Sequence, residues 1–195
     1  MTNYHAITAL QAITPLATHP LFQAGHIDTN DSPVDRFINN TNAINVIYLP
    51  TGVVLSAELA NLVLLGYMSA VESYFRALIR GLINIDDHTR ILVEPLPLSF
   101  GAALHHDPKL LPEALLEDMS FAGAASISRT MGDVIGIKGN QPIEVSSIIG
   151  EYRKICEIRH GCVHRFGRLG ANNAIRLGLR DHSAVLEKPF APTKD

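Results

Sequence analysis

Residues 151–170 read EYRKICEIRHGCVHRFGRLG, and the spacing of the apolar side chains in and before this stretch decides the fold. Val145, Ile148, Ile149, Tyr152, Ile155, Cys156, Cys162 and Val163 recur at the i, i+3, i+4, i+7 interval of one helix face. The pattern predicts a long helix that opens near Pro142 and is stopped by Gly167 and Gly170. At about 100° per residue, Arg159 falls inside the same apolar stripe. A guanidinium cannot shed its charge, so on such a face it needs an anionic partner or a functional reason. His160, His164, Arg165 and Arg168 follow it closely.

Working outward, a second strong pattern lies over residues 55–83. Glu58, Asn61, Ser69, Glu72, Ser73, Arg76 and Arg80 share roughly 120° of a helical wheel, and nearly everything else is apolar. Such a helix wants contacts on two sides, as the central member of a bundle or against another subunit. Glu72 and Arg76, four apart, can pair. Two long helices with matching apolar faces favour an antiparallel pair in an all-α bundle of four or five helices.

The remaining segments are weaker. Residues 1–32 show no sustained period, and 28–33 have loop composition, with Ser32 before Pro33 able to start a short helix through Phe37. The run 43–49 (AINVIYL) is β-branched and reads as a strand or an extended lead-in ended by Pro50. Residues 86–97 read as a connector. Short helices are expected over 98–106, 111–119, 121–135 and 174–179, with a tail over 189–195. The expected organisation is an N-terminal arm, 1–50, a helical domain, 51–170, and a C-terminal extension and tail, 171–195.

With 195 residues, 47% apolar and 18% charged, the chain can bury one good core and is not globally disordered. Its net charge of −3 offers nucleic acid no bulk attraction. Residues 151–180 nevertheless carry Arg153, Lys154, Arg159, Arg165, Arg168, Arg176 and Arg180 against only Glu151 and Glu157, a local footprint for phosphate. Cys156 and Cys162 point about 120° apart on one helix, too divergent to bridge, so both are expected as buried thiols. The N-terminus lacks a basic region followed by an apolar core, and the apolar run 59–71 is too short to span a bilayer. The expected compartment is the cytoplasm, with no membrane partner.

Arg159-His160-Gly161-Cys162-Val163-His164, an arginine and a histidine separated by four residues near the end of the last long helix, resembles the signature of the HEPN family, especially its RiboL-PSP-HEPN-type branch. In that family a polar residue, usually Asn, follows the arginine; here it is His160. Residues 68–78 (MSAVESYFRAL), a first long helix with an acidic residue among aromatics, add to the resemblance, which covers residues 55–170. The resemblance implies a homodimeric helical bundle whose Arg/His pairs face one another across a cleft. It also implies a metal-independent endoribonuclease of toxin–antitoxin or phage-defence type, without cofactor. An antitoxin or a nucleotidyltransferase would be the natural protein partner.

Arg159 and His164 are then the catalytic candidates. Attack of an RNA 2′-OH on the adjacent phosphate needs a group that moves protons and a cation on the phosphorane oxygens. His164 fits the first role and Arg159 the second. His160, Glu72, Arg153, Arg165 and Arg168 are the RNA-binding or supporting candidates. The alternatives are structural: an ion pair of Arg159 with Glu72, His164 as a helix-end cap, and a solvated face for the later arginines. His160 and His164 form half of a zinc pair that no further residues at metal spacing complete, so no metal is expected. A second functional reading is an inactive HEPN-like module that binds RNA or nucleotide, or serves to dimerise. On an ideal helix Arg159 and His164 point about 140° apart. A composite dimer site or a helix end unwound near Gly161 would bring them to one phosphate.

Overall fold

The structure, a computed structural model, describes residues 32–50, 52–137, 143–181 and 183–192. The expectations for residues 1–31, for the helix opening near Pro142, and for the last three residues lie outside them. Among the described residues the chain is all-α, with no strand beyond one isolated antiparallel bridge. The helices are α1 (Pro33–Tyr48), α2 (Ala57–Ile85), α3 (Asp87–Val93), α4 (Phe100–His105), α5 (Leu111–Leu116), α6 (Ala124–Val134), α7 (Ile143–Arg165) and α8 (Ala171–Arg176), with a 3-10 turn at Pro108–Leu110.

Several helix starts have a local cause. Ser32 accepts from the Asp35 N–H and Pro33 sets the first turn of α1. Ser56 accepts from Leu59 N–H (3.2 Å) at the head of α2. Asp86 ends α2 and caps α3, taking both the N–H (2.8 Å) and the hydroxyl (2.6 Å) of Thr89. These bonds to the charged form hold the Asp86 carboxyl below its usual range.

The structure changes two sequence expectations here. α1 runs on through the 43–49 segment, which is neither strand nor extended lead-in. Its β-branched residues take the helix because its inward positions find partners on α2. Phe37 meets Tyr74 (5.7 Å between centroids), Tyr48 meets Tyr67 (6.3 Å), and Ile44 lies over Gly66, where a Cβ would stand 3.2 Å from the Ile44 side chain. Packing has overridden intrinsic preference. Residues 86–97 also hold a helix, α3, whose Val93 enters the core.

α2 is the central helix, packed by α1, α3, α5 and α7. Its length and hydropathy would suit a membrane span by composition alone. Here Ile79 and Ile83 instead join Val93, Leu116, Phe121, Ile127 and Val134 in one core, with Tyr152 of α7 against it. α2 and α7 run antiparallel. Asn61 meets the end of α7 at Cys162 and Phe166, Met68 packs with Cys156, and Phe75 and Tyr152 share the core further along.

The apolar stripe of α7 is only partly buried. Cys156 and Cys162 are buried free thiols, and Tyr152 is half-buried. Val145, Ile148 (68% exposed), Ile155 and Val163 face solvent, because the contacts with α2 and its neighbours concentrate over residues 152–162.

Candidate functional site

α7 is helical without interruption through Gly161 to Arg165, so no unwinding brings Arg159 and His164 together. The turn comes just after. Phe166 (φ 51°) and Gly167 (φ 78°) adopt left-handed backbone, and Gly167 N–H donates to the Gly161 carbonyl (3.1 Å). Gly167 also lies against Asn61, leaving no room for a Cβ, while Asn61 Nδ2 donates to the Phe166 carbonyl (3.3 Å) and its Oδ1 accepts from the Cys162 thiol (3.3 Å). This buried asparagine ties the start of α2 to the end of the motif helix.

Arg159 is half-buried and faces an open cavity of about 470 Å³ between α7, α8 and the segment leading into α6. Cys156, Glu157 and His160 line it from α7, Ser120, Ala122, Gly123 and Ser126 from the α6 side, and Arg176 from α8. Among the described residues Arg159 has no ion pair. The thiol of Cys156 is pushed up by burial, with the Tyr152 hydroxyl and the Arg159 charge pulling the other way. Burial likewise pushes Tyr152 up, and Arg159 again opposes the shift. Arg176 reaches Glu157 (3.3 Å), whose other oxygen accepts from Asn173 Nδ2 (3.0 Å). Gly123, the N-cap of α6, and Ser126 in its first turn line the cavity, so the positive end of that helix borders it.

His160 and His164 are exposed, and their rings lie 4.5 Å apart at 51°. His160 thus links the cavity, which it lines, to His164, which is not part of the lining.

Glu72 plays a different part from either reading of the sequence. It forms no ion pair with Arg159 or with Arg76. Its Oε1 accepts the backbone N–H of Phe121 (3.3 Å) and of Ala122 (3.1 Å). Arg76 donates to the carbonyls of Leu116, Glu117 and Met119 (2.8 Å for the last) and lies over the Phe121 ring. The Tyr152 hydroxyl donates to the Phe121 carbonyl (2.8 Å). The segment 116–122, which forms one wall of the cavity, is therefore pinned from both long helices.

The remaining candidates are spread out. Arg153 is exposed and reaches Ser128 on α6 (3.4 Å). Arg165 pairs with Glu187, and Arg168 donates to the Glu187 carbonyl (2.9 Å). Three participants had not been singled out from the sequence: Arg176, visible there only as one member of the basic run, Glu157, and the α6 N-terminus. No cluster of three or more His, Cys, Asp or Glu suited to a metal occurs among the described residues.

Comparison with protein-family models, with curated proteins and with solved structures finds no match to this chain.

Proposed function

We propose that the chain is a HEPN-like, metal-independent endoribonuclease that works as a homodimer on RNA, in a toxin or phage-defence role in the cytoplasm. The observation that carries this reading is Arg159, a half-buried guanidinium with no ion pair among the described residues, at the wall of an open cavity beside His160, whose ring meets His164. An uncompensated cation held in a polar recess is what a phosphate-binding site requires. The α6 N-terminus lies at the same recess, where the charge of Arg176 is balanced by Glu157.

In this reading the RNA phosphate enters the cavity against Arg159. His164 takes the proton from the 2′-OH as that oxygen attacks phosphorus, and Arg159 stabilises the charge gathering on the phosphorane oxygens. The bond from phosphorus to the 5′-oxygen breaks and that oxygen takes a proton from water, leaving a 2′,3′-cyclic phosphate. Within each copy His160 orients His164 through their ring contact. Because α7 is unbroken, the full site draws Arg159 and His164 from two copies. The apolar side chains that α7 leaves exposed, Ile148, Ile155 and Val163 among them, offer surface for that contact.

The divergence of Arg159 and His164 on one continuous helix also favours a second reading, a module that binds RNA without cutting it. Incubation with mixed tRNA and single-stranded RNA in EDTA, beside His164→Ala, separates the two. Cyclic-phosphate products that vanish in the variant support the nuclease. Salt-sensitive binding without product, from an intact dimer by light scattering, supports the module. A monomer with no RNA affinity defeats both.

A further inference from the structure

After α7 the chain doubles back on itself. Residues 187–190 lie antiparallel to 167–169, with Leu169 N–H donating to the Lys188 carbonyl (3.2 Å), Glu187 N–H to the Leu169 carbonyl (3.0 Å) and Phe190 N–H to the Gly167 carbonyl (2.7 Å). This pairing sets Glu187 against both arginines that follow the motif. Its carboxylate takes Arg165 and its carbonyl takes Arg168 (2.9 Å).

We propose that residues 183–190 are a removable strap, and that Glu187 occupies a backbone-phosphate subsite made by Arg165 and Arg168 until RNA displaces it. The inference rests on the reading of the site as RNA-binding and adds its regulation. A carboxylate oxygen and a carbonyl oxygen offered to two neighbouring guanidinium groups imitate the oxygens of a phosphodiester.

Three observations favour release of the strap. Residues 183–189 are exposed, and beneath the strap lies an apolar cavity of about 290 Å³ lined by Ile158, Leu169, Leu179, Val185 and Phe190. Little apolar burial therefore resists opening. Glu187 sits at φ 59°, a left-handed conformation that only glycine adopts freely, and opening relieves it. The Arg165–Glu187 pair is itself exposed on both sides, the kind of contact that a polyanion outcompetes. Docked, the strap withholds two phosphate contacts immediately after His164 and adds a negative charge where RNA would run.

The test is titration of a short fluorescein-labelled single-stranded RNA, made uncleavable with 2′-O-methyl sugars, against wild type, Glu187→Gln, Glu187→Gln with Arg165→Ala, and Arg159→Ala. The strap predicts that Glu187→Gln binds about threefold tighter. It also predicts a log–log salt dependence steeper by about 0.7 for each phosphate gained. The added Arg165→Ala must cancel the gain. Equal affinity and slope for wild type and Glu187→Gln, with Arg159→Ala weaker, overturns the strap and keeps the RNA reading. Tighter binding by Glu187→Gln, with no cleavage of ordinary RNA by any form, keeps the strap and removes the nuclease. Failure of all four proteins to bind overturns both.

Discussion

Arg80 lies on α2 and Arg159 on α7, the two long helices, and the protein treats them in opposite ways. Arg80 is nearly sealed, with a side chain 7% exposed, and its guanidinium meets Glu113 at 2.9 Å. Around it Arg76 is held by backbone carbonyls and Glu72 by backbone N–H groups. Arg159 is less buried, has no ion pair among the described residues, and faces an open recess. A buried cation that holds the fold together is satisfied from within the chain, whereas one kept for a ligand is left with capacity to spare. Under the proposed function, the half of α2 around Arg80 is scaffold and the cavity side of α7 would carry the chemistry.

Substitutions break or sharpen this contrast. Arg80→Ala should have the largest structural effect, about 3 kcal/mol of lost stability. Glu113, about one-third exposed, recovers part of its hydration when orphaned, which keeps the loss below the most severe cases. The check is a fall in melting temperature on the order of 8 °C. A variant that melts like wild type would remove the distinction between the two arginines.

Glu72→Ala comes next, at about 2 kcal/mol, because two partly buried N–H groups lose a charged acceptor. Glu72→Gln, which keeps an acceptor, should lose less. Urea denaturation compares the two, and equal losses would mean that charge rather than hydrogen bonding matters there.

A smaller effect is expected at high pH. Burial, with the Tyr48 hydroxyl as neighbour, pushes Tyr67 up to about 12 from the usual 10. The folded chain then holds this proton more tightly than the unfolded one. Its contribution is complete below pH 10 and is lost as pH rises from 10 toward 12. Burial raises Tyr152 in the same sense, so Tyr67→Phe should flatten the alkaline loss of stability without abolishing it. Unchanged slopes in alkaline melts would contradict this.

What the sequence disclosed follows the same division. The two long helices, the Ser32-Pro33 start of α1 and the buried cysteines are written in local pattern: periodicity, a cap, a thiol on an apolar stripe. The extent of α1 is not, because Ile44 and Tyr48 are β-formers until Gly66 and Tyr67 supply a surface for a helix. Glu72 was misleading for a similar reason. Its partners are backbone N–H groups on a loop some fifty positions away, which no helical wheel displays. The engagement of Arg165 and Arg168 by Glu187 spans a segment with no periodic signal. Arg159 itself was legible as an anomaly, although the recess in front of it depends on α6, α8 and the pinned loop that leads into α6.

The most direct test is Arg159→Ala, measured for melting and for single-turnover RNA cleavage in EDTA on one preparation. The account predicts a stability change below about 1 kcal/mol and a cleavage rate at least about a hundredfold lower. A variant that cleaves as wild type does, or one that loses its fold as Arg80→Ala should, would contradict it.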